Sequence, residues 1–214
     1  MSKSILIIGE SGSGKTTSLR NLNPKETYYI DCDQKGLSWK KWKESYSLEK
    51  KNFFKTNSID TVKGLIASIN SKAPHIKYLV IDTLNSLMVA DEMKRTKEKG
   101  YDKWVDLAAS IYDVVQLINT LREDLTVICI AHSETITDEF GNKFTRIKTN
   151  GQKLNKIVLE SFFTSVLLTK KHEGVHLFET KSNYSTAKTP FGTFEESEIV
   201  SNDINIVLEE LKEL

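Results

Sequence analysis

The stretch Ser4-Ile5-Leu6-Ile7-Ile8-Gly9-Glu10-Ser11-Gly12-Ser13-Gly14-Lys15-Thr16-Thr17 decides the fold. Its apolar half, Ser4–Ile8, is short and has no polar alternation, which predicts a strand buried on both faces. A glycine-rich turn follows at once, and Lys15–Leu22 then predicts a helix. From Gly9 to Thr16 the residues spell G-x-x-x-x-G-K-T in full. The glycines let the backbone curl until its N–H groups converge on an anion. A helix N-terminus adds a positive dipole end. Lys15 is placed to reach β- and γ-phosphates, and the Thr16 hydroxyl to ligate Mg²⁺. Gly9, Glu10, Ser11, Gly12, Ser13, Gly14, Lys15, Thr16 and Thr17 are therefore the candidate nucleotide-binding residues. A glycine-rich turn without a ligand would leave Lys15 and Thr16 unexplained.

Working outward, further strand-like runs lie at Thr27–Ile30, Lys77–Ile81 and Leu125–Ala131. Between them, Ser58–Asn70 repeats Ile59, Val62, Leu65, Ile66 and Ile69 at helical spacing. Asp102–Leu121 does the same with Trp104, Leu107, Ala108, Ile111, Val115, Ile118 and Leu121. Short apolar strands alternating with amphipathic helices predict an α/β fold with a mainly parallel sheet covered on both faces. The last third changes character. Glu134–Lys148 reads as a hairpin or loop around Phe140-Gly141-Asn142. Phe162–Lys170 and Gly174–Lys181 read as two antiparallel strands, and Asn202–Leu214 as a capped helix. No linker interrupts the chain, so one domain over residues 1–214 is expected. Its core would span 1–132, and 133–214 would add a basic loop, antiparallel strands and the last helix.

The run Lys77–Asp82 ends in a carboxylate. Asp82 at that strand tip would hold Mg²⁺ through water beside the loop; a plain strand-end cap is the alternative. The next residue is Thr83, which cannot serve as a base. Asp33, ending Tyr28–Asp33, is the candidate general base, with a solvated loop carboxylate as the alternative; Asp31 would lie deeper. His132, after Thr126–Ala131, is placed to sense the γ-phosphate or orient water, or else to bond a neighbouring loop. Trp39 or Trp42 could stack on adenine, although packing a helix to the sheet accounts for them better.

Composition narrows the classes. The 214 residues are 39% hydrophobic and 28% charged, which excludes bulk disorder. No apolar run is long enough for a membrane span. Cys32 and Cys129 are far apart and set in apolar runs, as free thiols of a cytoplasmic protein would be. Thirty basic residues against 29 acidic ones give a net charge of +1, so any nucleic-acid surface must be a local patch. Arginine occurs only at 20, 95, 122 and 146, too few for the phosphate-clamping lid of a nucleotide kinase. No N-K-x-D guanine-reading motif is present.

The phosphate loop, Asp33, Ile81-Asp82-Thr83 and Ala131-His132-Ser133-Glu134 together resemble a RecA-type ATPase core. More narrowly, Gly9–Leu22, Ile81–Leu87, Gly100-Tyr101-Asp102-Lys103-Trp104 and Ser201-Asn202-Asp203 are similar to small RecA-like ATPases of bacteriophages, the AAA domain family 24. The resemblance covers nearly the whole chain. It implies ATP and Mg²⁺ as cofactors and a homo-oligomer or filament. It implies action on single-stranded DNA in recombination, annealing or replication, with a single-strand-binding protein as a candidate partner and the host cytoplasm as location. It puts the base role on Asp33, where RecA has the longer Glu, and the sensor role on His132, where RecA has Gln. It makes Lys181 the candidate to enter a neighbouring subunit's ATP site. Two loops correspond to the DNA-binding ones. Asp91–Lys103 mixes five basic residues with four acidic ones. Thr135–Lys156 is the more basic, and its Lys143, Arg146, Lys148 and Lys153 are the candidate nucleic-acid contacts, with Phe140 and Phe144 interleaved. A protein that binds nucleotide and turns it over little is the competing reading.

Overall fold

The computed structural model describes residues 3–98, 100, 102–150, 157–195 and 197–213. In chain order the strands are β1 (Ser4–Gly9), β2 (Thr27–Asp31), β3 (Phe53–Lys55), β4 (Tyr78–Asp82), β5 (Thr126–Thr137), β6 (Lys143–Ile147), β7 (Ser165–His172), β8 (Val175–Glu179) and β9 (Ile199–Ser201). The helices are α1 (Trp42–Ser45), α2 (Ile59–Lys72), α3 (Leu84–Lys94), α4 (Asp102–Ile118) and α5 (Ile204–Glu210). One sheet takes the order β3-β2-β4-β5-β1-β7-β8-β9, with β6 paired to β5 alone. Every pair from β3 to β7 along that order is parallel, and β8 and β9 return antiparallel. This is the mainly parallel α/β sheet with an antiparallel C-terminal extension that the sequence predicts.

The two-residue period of β1 explains the layering. Leu6 and Ile8 face a core shared with Leu79, Ile81, Val127 and Cys129, covered by α2, α3 and α4. Ile5 and Ile7 face the opposite core, with Tyr29, Val80, Ile128, Ile130, Leu19 and the α5 residues Ile204 and Val207. All four β1 side chains are fully buried. At about 1.5–3 kcal/mol for each fully buried aliphatic side chain, this central strand contributes on the order of 6–12 kcal/mol of hydrophobic stabilisation before entropy is counted.

Helix ends follow local chemistry. Ser58 caps α2 by accepting from Thr61 N–H, and Thr83 caps α3 by accepting from Ser86 N–H. Arg122 clamps the other end of α2, donating to the carbonyls of Ile69, Asn70, Ala73 and Ile76. Ile59, Val62, Ile66 and Ile69 point inward as expected, and Leu65 is half-buried against the same core. In α4, Trp104 is instead 40% exposed, and Val114 joins the core. The helix expected over Lys15–Leu22 is only a 3-10 turn, Thr16–Leu19. Asn21, Asn23 and Pro24 crowd the segment with residues that favour turns and breaks, so it closes after one turn. β5 also outruns its expected end. It continues through Thr137 and forms a hairpin with β6, where Glu134 faces Arg146 and Ile136 faces Phe144. Cys32 and Cys129 are buried free thiols. Trp39 and Trp42 pack on the second core, with the Trp42 ring 5.0 Å from Phe53. Among the described residues no helix is long and apolar enough to cross a membrane.

Candidate functional site

The phosphate loop lies at the C-terminal end of β1, between β5 and β7. Gly12 and Gly14 hold positive φ of 77° and 99°, which only glycine adopts without strain. Gly9 is required for a different reason. A β-carbon there would lie 1.9 Å from Thr169 Oγ1 of β7 and 2.5 Å from Ser13 Oγ. Thr169 Oγ1 donates to Ile8 O at 3.1 Å and contacts Ser13 Oγ at 2.5 Å, while Ser13 Oγ donates to Glu10 O at 2.7 Å. The loop is thus buttoned to β7 through two hydroxyls.

Lys15 is only 7% exposed and folds back over the loop, donating to the carbonyls of Gly9 at 2.9 Å and Glu10 at 2.7 Å. Burial lowers its pKa to about 8, although Asp82 pulls the other way. An ammonium held on loop carbonyls, with desolvation working against its charge, is poised to trade those contacts for phosphate oxygens.

Thr16 and Asp82 meet as expected: Thr16 Oγ1 donates to Asp82 Oδ2 at 2.8 Å. Tyr29 OH donates to the same oxygen at 2.5 Å. Asp82 is 3% exposed, and its Oδ1 is buried without a hydrogen-bond partner among the described residues. Burial raises its pKa, against the hydrogen bonds from Tyr29 and Thr16. A buried carboxylate oxygen with no partner is costly. A hydroxyl and an acidic oxygen set side by side are the hard donors that Mg²⁺ takes. The residues present therefore fit that ion.

Asp33 and His132 line one open cavity of about 430 Å³ beside α3. Asp33 is not free in it. Lys35 forms an ion pair with Oδ2, and Oδ1 accepts from Ser86 and, at 2.9 Å, from Thr83. Burial pushes the Asp33 pKa up, but the bonds from Lys35, Ser86 and Thr83 outweigh it and hold it below the ordinary carboxylate value. His132 pairs with Gly9 in the β1–β5 register, so it flanks the loop directly. Its backbone N–H donates to Asn85 Oδ1 at 2.7 Å, and burial together with nearby Lys15 lowers the imidazole pKa, favouring the neutral ring. Asp31 turns to the backbone instead; its Oδ2 accepts from Gly36 N–H at 2.7 Å.

Lys181 does not join this group. It follows β8, which runs opposite to β7 and hence to β1, so the chain is heading away from the loop there. His176 of the same strand arrives instead, donating from Nδ1 to Ser13 O at 2.9 Å. A β-carbon on Gly14 would lie 2.9 Å from His176 Cγ and 3.1 Å from Asn202 Oδ1. Thr169 escapes the sequence reading because β7 lies parallel beside β1 only in the fold, and His176 and Asn202 because the antiparallel returns of β8 and β9 then bring them in. Tyr29 carries a signal: a tyrosine inside an apolar strand needs a partner for its hydroxyl.

The candidate DNA contacts divide. Lys143 and Arg146 are three residues apart on β6 and so face opposite sides of the hairpin. Arg146 is paired with Glu134 at 2.9 Å, whereas Lys143 and Lys148 are exposed. Lys153 lies outside the described residues. In the other loop, Arg95 is drawn into Asp91, Glu98 and Asp106. With Arg20 donating to Thr17 O and Asn202 O, and Arg122 on α2, all four arginines have partners within the chain.

A KaiC-like protein from the hyperthermophilic archaeon Pyrococcus horikoshii OT3 is a structural neighbour at 14% identity and a TM-score of 0.49, covering 92% of this chain and 83% of that one. No curated protein matches the chain. The model of the AAA domain family AAA_24 matches residues 1–191. The match spans most of the chain, and the chain belongs to the AAA_24 family of P-loop ATPase-type AAA domains.

Proposed function

We propose that the chain binds ATP with Mg²⁺, hydrolyses it, and works on single-stranded DNA in recombination, annealing or replication as phage-type RecA-like proteins do. The observation that carries the Mg²⁺·ATP part is the Thr16–Asp82 contact, with the second Asp82 oxygen left unpaired beside a buried Lys15. In this reading the loop N–H groups and Lys15 bind the phosphates, and Thr16 and Asp82 hold the metal. Bound Mg²⁺ supplies electrostatic stabilisation of the phosphate oxygens. Asp33 accepts the proton of the attacking water and neutral His132 orients it from the other wall of their shared cavity. Lys181 serves a neighbouring copy in an oligomer or filament. The β5–β6 hairpin offers Lys143, Arg146 and Lys148 to the DNA backbone, with Lys153 further along the chain. A single-strand-binding protein is a fitting partner, and the cytoplasm, a host's if the protein is phage-encoded, the fitting location.

A second reading has its own support. The capture of Asp33 by Lys35, Ser86 and Thr83 leaves a weak base, which suits a nucleotide-gated module with little turnover. Steady-state ATP hydrolysis with Mg²⁺, with and without single-stranded DNA and across protein concentrations, separates the two. Turnover that rises with DNA and with protein concentration supports the DNA-acting oligomer. Bound ATP without turnover under every condition favours the module and removes hydrolysis from the proposal.

A further inference from the structure

We propose that the turn Pro190–Thr193 of one copy seats Phe191 in a groove on the opposite flank of a second copy, so that the chain assembles head to tail. The inference deepens the association reading above by assigning its surfaces. Phe191 is 103% exposed, the most exposed of the large apolar side chains described. It is not on a loose tail. Thr193 N–H and Thr193 Oγ1 both donate to Pro190 O, and Gly192 closes the turn at φ 84°. Phe194, 7% exposed, anchors the turn in the second core, and its N–H donates to Glu210 Oε1 at 2.9 Å. A phenylalanine held rigidly in water gains from burial and loses little entropy on docking.

The receiving surface is a groove of about 740 Å³ at the start of β2, beside α2. Tyr28 and Leu65 supply half-buried apolar surface within it, over the buried Ile69 and Ile76. Lys25, Lys51 and Lys72 add exposed charge and make no ion pair among the described residues; Glu44 is the one acid. Half-buried Lys188 precedes the Phe191 turn, and the turn runs on into exposed Glu195 and Glu198, so the net charge around the aromatic is opposite in sign to that around the groove. Charge complementarity thus favours this chain's own segment as occupant.

Topology makes the contact heterologous. The turn follows the bridge between Lys188 and Val166 of β7, whereas the groove adjoins β2, with β4, β5 and β1 between them in the sheet. One copy cannot fill its own groove, and each copy leaves one knob and one groove free. Such a contact builds a ring or an open filament.

Sedimentation velocity on the full chain across a concentration series, with and without Mg²⁺·ATP, tests this. Wild type is expected to self-associate. Phe191→Ser, and separately Lys51→Glu with Lys72→Glu, should each weaken association at least about tenfold, as truncation of a central interface aromatic does. All three residues are exposed, so circular dichroism should be unchanged. Mixed together, the two variants should form a 1:1 dimer that grows no further, because one keeps the groove and the other the knob. If wild type associates while Phe191→Ser associates equally well, or the mixture stays monomeric, these surfaces are wrong and association stands on others. A wild type that is monomeric throughout overturns both the surfaces and the oligomer, while turnover measured alongside judges the ATPase reading separately.

Discussion

Replacing Gly9 with alanine places a methyl group 1.9 Å from Thr169 Oγ1, inside the space of that hydroxyl. The Thr169 side chain must rotate away. It then gives up its bond to Ile8 O and its contact with Ser13 Oγ, both buried. Two buried hydrogen bonds at about 1 kcal/mol each, plus about 1 kcal/mol for an unfavourable rotamer, make a loss of about 3 kcal/mol. Thr169→Ala alone forfeits the same two bonds and should cost about 2 kcal/mol. In the double variant the introduced methyl occupies the vacated space, so the losses overlap rather than add, and the shift that Ser13 Oγ must make, 2.5 Å from the new β-carbon, is common to both Gly9 variants and cancels in the cycle. The Thr169 carbonyl, 3.1 Å from the new β-carbon, needs to give by only a few tenths of an ångström. A double-mutant cycle in urea, read at constant m-value, should therefore show about 3 kcal/mol of coupling, the two shared bonds and the relieved rotamer. Additivity within about 0.5 kcal/mol would refute the idea that Gly9 is small in order to admit Thr169.

Lys15 should give pH effects of opposite sign in stability and binding. Its folded pKa of about 8 lies below the unfolded value of 10.5, so between these the unfolded chain binds more protons. Stability from this group rises with pH across that window, while ATP affinity, which needs the ammonium, falls above about pH 8; denaturant titration and calorimetry at several pH values check both. Lys15→Ala should abolish nucleotide binding or turnover, and normal ATPase activity in it would contradict the loop assignment. For Asp33, Asp33→Asn should retain ATP binding and lose turnover at least about tenfold, whereas Lys35→Met should raise turnover by freeing the carboxylate; unchanged rates in both would place the base elsewhere. Replacing Lys143, Arg146 and Lys148 with alanine should weaken single-stranded DNA binding and flatten its logarithmic salt dependence by about 2, at about 0.7 per phosphate contact. An unchanged slope would move the DNA site off the hairpin.

Much of this architecture is legible locally. The helical repeat over Ser58–Asn70 marks α2 and the four apolar runs mark the buried strands, because helical period and strand burial depend on neighbours in sequence. Gly9, Lys15, Thr16 and Asp82 are legible for the same reason: Gly9 and Asp82 end recognisable strands, and Lys15 and Thr16 close the glycine-rich run that follows one. What escapes is what tertiary approach decides. Asp33 reads as free in the sequence and is held by Ser86 and Thr83 from the start of α3. Thr169, His176 and Asn202 reach the loop only because β7 lies beside β1 and the chain then doubles back. Trp104 fits the helical period of α4 yet sits at its exposed margin, since periodicity identifies a stripe and not its width.

The central claim is that Lys15, Thr16 and Asp82 form one Mg²⁺·ATP site. Titration calorimetry of ATP with and without Mg²⁺, on wild type and Asp82→Asn, tests it most directly. The account predicts that Mg²⁺ tightens wild-type binding at least about tenfold, or about 1.4 kcal/mol, and leaves Asp82→Asn nearly unchanged. Equal Mg²⁺ enhancement in the two proteins, or wild-type affinity indifferent to Mg²⁺, would contradict it.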